Sequence, residues 1–291
     1  MVVVVSLFDG IGVGVLALKK LGISIEEYYA YEICTDAMKV TSSHHRNVKH
    51  MGDIRHFDKS LLPDKIDILF AGSPCIGLAR GGRQEGLRHV ESSLFYNAVE
   101  ILKQLKPSYF LFENVIMKPE WKKIFDTALG VNAISIDSKL ISAQCRNRLY
   151  WTNIPRLDEI KIRSLKLTDV LEPPFTQKQP LTSKDGKSYC LTASYIETGS
   201  ENGIPYANEV SRNLKRRCRT CVRVSDDDDD DWRLLTPVEC ERLQTLPDNY
   251  TKAAGTNKKR WKMIGNAWTL DVIKYLISSL VFNEQSFVFH I

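Results

Sequence analysis

The sequence lacks any long hydrophobic run. Its apolar start, MVVVVSLF, has no basic residue ahead of it and meets Asp9 almost at once. Such a stretch falls short of the roughly 20 residues that span a bilayer and lacks the charged lead-in of a secretory signal. No internal repeat is visible, which argues against a solenoid or a fibrous array. Cysteines are seven, an odd number, scattered at Cys34, Cys75, Cys145, Cys190, Cys218, Cys221 and Cys240, which is unlike a disulfide framework. Cys218 and Cys221 form one C-x-x-C without a second pair at zinc-site spacing, so no metal is expected. These absences point to a soluble intracellular protein with reduced thiols.

What is present is enough for a substantial core. A chain of 291 residues with 43% hydrophobic and 26% charged residues suits one large domain, or a large one with a smaller partner. The net charge is +5, but six acids sit together at Asp226 to Asp231, and leaving those six out raises the balance to +11. A basic body suits a polyanionic partner.

Up to residue 155 the chain alternates short apolar runs with amphipathic stretches. Residues 2 to 8, 28 to 32, 66 to 72, 109 to 115 and 133 to 137 are β-branched or aromatic and nearly continuously apolar, as strands covered on both faces should be. Residues 13 to 22 and 93 to 106 carry helical spacing. Strand and helix in repetition predict a doubly wound, mostly parallel α/β sheet.

From about Arg156 the texture changes. Pro173, Pro174, Pro180, Gly186, Gly199, Gly203 and Pro205 break the chain repeatedly, which predicts a second, irregular region. Helical character returns at residues 236 to 246, where Thr236 and Glu239 have the form of a capping box, and again at 268 to 280. The expected division is 1–155 for the sheet domain, 156–258 for the irregular domain and 259–291 for a return to the first.

Polar groups collect at predicted strand ends. FDGIGVG (8 to 14) joins the first strand to the first helix, where glycines let backbone approach a ligand closely. Glu32 ends the second strand, where an acid can take ribose hydroxyls, and Asp53, in GDI (52 to 54), falls at the end of a further, third strand ahead of residues 66 to 72, placed to accept from an adenine amino group. Cys75, in AGSPCIGLARGG (71 to 82), ends the fourth among Gly77, Gly81, Gly82 and Gly86, which read as a flexible loop. Arg80 and Arg83 beside it could favour a thiolate nucleophile. Glu113 and Asn114 end the fifth, and QCRNR sets Gln144, Arg146 and Arg148 at alternate positions of an extended segment, hence on one face. Two guanidiniums on one face suit a phosphate or a ring carbonyl.

Six motifs in order, F-D-G-I-G, S-P-C, E-N-V, Q-x-R-x-R, LTPVECERLQTLPDNYT and GNAW, resemble those of DNA cytosine-5 methyltransferases over nearly the whole chain. The resemblance implies a Rossmann-like class I S-adenosylmethionine fold with a smaller target recognition domain. It implies that Phe8, Asp9, Gly10, Ile11 and Gly12 hold the methionine moiety and wall the adenine, Glu32 binds the ribose and Asp53 with Ile54 the adenine. Asn266 and Trp268 would close the cofactor pocket, and Ile33, Gly72, Pro74 and Leu94 would also contact the cofactor. Cys75 would attack C6 of a cytosine flipped out of the duplex. Glu113 would grip N3 and the amino group, and Arg148 the ring carbonyl, with Arg146 in support.

Where the family often has Gln after the nucleophile, this chain has Ile76. The implied partner is double-stranded DNA, with no membrane association. A cognate restriction endonuclease is compatible with the resemblance, and a monomer from a bacterial or phage source without a regulatory domain is expected. DNA contact is expected from Ile76, Arg80, Arg83, Thr192, Ser194, Arg216 and Arg217. KSYCLTASY (187 to 195) is similar to a stretch of bacterial members. The alternatives are a tRNA cytosine-5 methyltransferase on the same fold, whose cysteine-phenylalanine-threonine signature is not found here, and a noncatalytic DNA-binding relative, against which Cys75 and Glu113 both argue.

Arg212, Lys215, Arg216, Arg217, Arg219 and Arg223 form a basic cluster just before the six Asp, suited to phosphate contact. If the acidic run shields that cluster, replacing all six Asp with Ser tightens nonspecific duplex binding at low salt. An unchanged dissociation constant in a titration at low ionic strength would rule the shielding out.

Overall fold

β-Branched and aromatic residues at consecutive positions give strands with both faces buried. β1 (Val2–Leu7), β2 (Ile25–Tyr31), β3 (Val48–His50), β4 (Ile68–Gly72), β5 (Tyr109–Val115), β6 (Ile134–Asp137) and β7 (Asn147–Thr152) form a seven-stranded sheet in the order β3-β2-β1-β4-β5-β7-β6. The computed structural model describes residues 1–78, 85–155, 159–173, 175, 182–193, 220–223 and 232–281. β1 pairs in parallel with β2 and β4, β2 with β3, and β4 with β5, while β7 runs antiparallel to β5. The mostly parallel, doubly wound sheet expected from the sequence is present.

Helices cover both faces. Alternate residues Val5, Leu7, Tyr29, Leu69, Ala71, Phe110 and Phe112 share one core with Phe95, Ala98 and Val99 of α3 (Leu94–Leu105) and Phe125 and Leu129 of α4 (Pro119–Leu129). Phe125 lies at the centre of this layer, 3.7 Å from the Phe95 ring and 5.0 Å from Trp151, whose indole donates to Asp126 at 2.7 Å. On the other face α1 (Val13–Lys20) lies close to the sheet at Gly14, where an added Cβ would stand 2.7 Å from the Tyr28 hydroxyl and 2.8 Å from Phe70 Cδ2. α2 (Thr35–His44) follows β2.

The chain forms two compact units, residues 1–136, 147–158 and 273–291 in one and residues 137–146 and 159–272 in the other. The first holds the sheet. These boundaries differ from 155/156 and 258/259: residues 137–146 and 259–272 pack with the second unit, because the buried side chains of Gln144 and Arg146 bond to backbone there.

The second unit has a short antiparallel pair, β8 (Cys221–Arg223) and β9 (Trp232–Leu234), and a small core of Leu167, Leu191, Val222, Leu234, Leu243, Trp261 and Ile264. Buried charges, all partnered, accompany it. Glu239 in α5 (Pro237–Leu243) closes the expected capping box with Thr236 and takes both terminal nitrogens of Arg233, at 2.6 and 2.8 Å. Two residues on, Glu241 accepts from the backbone of Asn249 and Thr251 and from Arg260 of α6 (Asn257–Asn266) at 3.0 Å. α7 (Leu270–Ile277) follows. Among the described residues no helix is long and apolar enough to cross a membrane.

Because the α1 helix sits so close to the sheet, Gly14→Ala should cost about 1–3 kcal/mol by overpacking. The urea midpoint should fall accordingly; an unchanged midpoint would mean that α1 can lift away without loss.

Candidate functional site

Five parallel strands put their carboxyl ends on one edge, and ligands of such sheets bind where the strand order reverses. Here that point lies between β1 and β4, paired through Leu7 and Ala71. The glycine turn after β1 and the cysteine turn after β4 are therefore neighbours.

The glycine turn is conformationally specific. Phe8 has φ +58°, Gly10 +62° and Gly12 +73°. A Cβ on Gly12 would meet the Thr41 side chain at 2.9 Å, whereas one on Gly10 would meet nothing within 4 Å. Gly12 is thus fixed by packing, and Gly10 faces open space. The Gly10 amide donates to Glu32 Oε2 at 2.9 Å, and Ile33 and Cys34 amides donate to Oε1 at 2.9 and 2.7 Å. Three backbone donors thus orient one carboxylate. Next to it the Ile33 side chain is 68% exposed, ready to flank a flat group, and Ile11 is buried.

Asp9 is held differently. Tyr28 donates to its Oδ1 at 2.7 Å, but Oδ2 is buried and has no hydrogen-bond partner among the described residues. Desolvation raises this carboxyl to about 6, opposed by the nearby Ser6 hydroxyl and the Tyr28 hydrogen bond and assisted by the charge of Glu32. Asp53 shows the opposite shift: Arg55 grips both its oxygens, at 2.5 to 3.1 Å, and holds it down at about 2. Ile54 offers no side chain to a ligand, since it lies in the core.

Cys75 is half-buried on a tight turn in which the Leu78 amide donates to the Cys75 carbonyl at 2.9 Å. Gly77 and Gly86, read as parts of a flexible loop, are packed: a Cβ on Gly77 would stand 2.5 Å from the Gly86 carbonyl oxygen, and one on Gly86 2.7 Å from the Trp121 ring. Ile76 is 46% exposed. Gly72 and Pro74 are half-buried, as is Leu94 at the start of α3.

Glu113 registers opposite Gly72, three residues before Cys75. Antiparallel β7 brings its first residues to the same edge, with Arg148 opposite Val115, and Arg148 Nε stands 3.2 Å from Glu113 Oε1. Both side chains are largely buried, 14% and 12% exposed. Cysteine turn, carboxylate and guanidinium therefore gather on one sheet edge.

The shared face expected for Gln144, Arg146 and Arg148 is not formed, because β7 begins only at Asn147. Arg146 instead donates to the carbonyls of Leu191, Gly265 and Ala267 at 2.9, 3.2 and 2.9 Å. Gln144 accepts from the Leu191 amide and approaches Gln244, which itself bonds Ile264, Ala267 and Thr269. Asn266, exposed at the end of α6, and Trp268, half-buried just after it, flank the backbone so held. The Gly265 backbone lies against Thr192, since a Cβ there would come 2.3 Å from the Thr192 carbonyl. Thr192 is exposed, while Arg80, Arg83, Ser194, Arg212, Lys215, Arg216, Arg217, Cys218, Arg219 and Asp226 to Asp231 lie outside the described residues.

The sequence reading missed Tyr28, Ser92 and Gln244, whose partners are 19, 15 and 20 residues away. No periodic signal marks such pairs.

The model of the C-5 cytosine-specific DNA methylase family matches residues 2–130 and 143–281. The chain belongs to that family. Among its relatives it is 32% identical over 203 residues to the orphan methyltransferase M.SPRI of Bacillus phage SPR, covering 64% of this chain and 45% of that protein. The chain thus spans under half the length of that relative. To the type II methyltransferase M.NgoPII of Neisseria gonorrhoeae it is 24% identical over 91% of both chains. A crystal structure of S. pombe Dnmt2 methyltransferase shares the fold, with a TM-score of 0.72 at 19% identity over 98% of this chain and 99% of that one.

The raised Asp9 carboxyl has a sign that can be measured. Folded, it keeps its proton up to about pH 6; unfolded, it loses it near 3.8. Stability from this group is therefore greatest below that window and declines as pH rises through it, by about 3 kcal/mol in all. Urea unfolding between pH 4 and 7 should show the decline flattened in Asp9→Asn, and parallel curves for the two proteins would refute it.

Proposed function

We propose that the chain is a DNA cytosine-5 methyltransferase that uses S-adenosylmethionine and a covalent adduct through Cys75. The observation that supports this most is the Glu113–Arg148 pair one strand away from the Cys75 turn. A nucleophile, a carboxyl and a guanidinium on one edge are the set needed to attack an electron-poor ring and hold its polar atoms.

The residues of the glycine turn fit the cofactor. Open space over Gly10, a carboxylate oriented by three amides at Glu32, the exposed Ile33 and the second acid, Asp53, match a ligand with ribose hydroxyls, a flat ring and an amino group. The buried Asp9 oxygen, without a partner among the described residues, is chemically suited to a cationic group. Gly10, Glu32, Ile33 and Asp53 would hold S-adenosylmethionine, and when bound it supplies the electrophilic methyl that C5 acquires.

The chain's own residues do the rest. The Cys75 thiolate adds to C6 of a flipped cytosine, and the electron pair of the 5,6 bond moves onto C5. Glu113 hydrogen-bonds N3 and the exocyclic amine, offsetting charge on the ring. Arg148 has five donors; one goes to Glu113 and one to the Asn147 carbonyl, and another reaches the ring carbonyl. Loss of the C5 proton to a base and expulsion of the Cys75 thiolate restore the aromatic ring. Arg146 holds the backbone on either side of Asn266 within the second unit. Ile76, Arg80, Arg83, Thr192, Ser194, Arg216 and Arg217 would meet the DNA.

Incubation with S-adenosylmethionine and unmethylated plasmid, followed by bisulfite sequencing, should reveal protected cytosines in a fixed sequence context. Cys75→Ser should lower the rate at least about a thousandfold while leaving duplex binding in place. No 5-methylcytosine from the wild type would overturn the proposal, and methylation confined to a parallel tRNA incubation would move it to an RNA substrate.

A further inference from the structure

The nucleophile turn is held from both sides by buried side chains. On one side Asn114 of β5 donates to the carbonyl and the hydroxyl oxygen of Ser73, at 3.2 and 3.0 Å. On the other, the Gly77 amide donates to Ser92 Oγ at 3.1 Å, and the Gly77 carbonyl accepts from Gly86 at 3.0 Å. Cys75 lies midway between the two clamps.

We propose that Ser92 is a positioning residue for the nucleophile, acting through Gly77 on the turn that carries Cys75; this rests on Cys75 being the nucleophile. Ser92 is 0% exposed, and a fully buried hydroxyl needs a reason. Capping α3 is not the reason, since Ser93 is its N-cap and the Ser92 contribution to the helix start is a backbone carbonyl, accepting from Phe95. The hydroxyl instead accepts from an amide 15 residues back, tying the Cys75 turn to the segment that starts α3. Gly77 is closely packed: an added Cβ would stand 2.5 Å from the Gly86 carbonyl oxygen and 3.0 Å from Ser92 Oγ. Removing the acceptor leaves a buried amide unpaired, and the turn must rotate to find another partner. A misplacement on the order of 1 Å at a reacting atom costs about a hundredfold in rate.

The test separates bond formation from binding. A duplex carrying 5-fluorocytosine at the target accepts the Cys75 sulfur at C6 and the methyl at C5, but fluorine cannot leave as a cation, so the protein stays attached. Ser92→Ala and Ser92→Gly should trap this duplex about 10- to 100-fold more slowly than wild type, with duplex and S-adenosylmethionine dissociation constants within about twofold. Ser92→Thr, which keeps the acceptor oxygen, should recover most of the rate. Folded alanine or glycine variants that trap as fast as wild type would overturn the role of Ser92 alone. Variants that lose folding and trapping together would overturn it too, since Ser92 would then serve the fold. A wild type that traps nothing would overturn the reading of Cys75 itself.

Discussion

Parallel strand pairing is the constraint on which the site depends. Each parallel strand must be re-entered from the same end, so the turns that leave β1, β2, β4 and β5 are delivered to one edge whatever their sequence. With β1 and β4 adjacent, the glycine turn and the cysteine turn become neighbours although 63 residues separate Gly12 from Cys75. The antiparallel β7 completes the arrangement, because reversing one strand brings its beginning, and so Arg148, to the edge where the others end.

Much of this edge was legible in the sequence. Strands read correctly because residues such as Val2 to Leu7 and Ile68 to Gly72 are buried on both faces and need no alternation. The helices α2 and α6 were harder for a physical reason. α2 buries only Ala37, Val40 and Thr41, and α6 buries Arg260 among apolar neighbours, so neither has a broad apolar stripe, whereas α4 does carry one, at Trp121, Ile124, Phe125, Ala128 and Leu129, and could have been read. Polar groups at strand ends, Asp9, Glu32, Cys75 and Glu113, could be named because a strand end fixes where a residue falls. What they touch could not. That Gly77 is locked rather than flexible, and that Arg146 faces carbonyls, depends on atoms brought from far along the chain.

The second unit follows a different economy. Its apolar core is small, and order comes from buried polar groups whose partners are complete: Glu239 with Arg233, Glu241 with Arg260, Gln144 with Gln244. Such networks are costly when half satisfied and rigid when full. The LTPVECERLQTLPDNYT stretch is therefore architectural, its acids holding helices and turns in place.

The Glu113–Arg148 pair also sets an electrical condition. One negative and one positive group, 3.2 Å apart and mostly shielded from water, nearly cancel at a distance. A pair that is neutral overall but strongly dipolar offers its neighbours direction rather than net charge. Under the proposed function, attraction of the nucleic acid must then come from other residues, so finding the partner and choosing the reacting group are physically separate tasks.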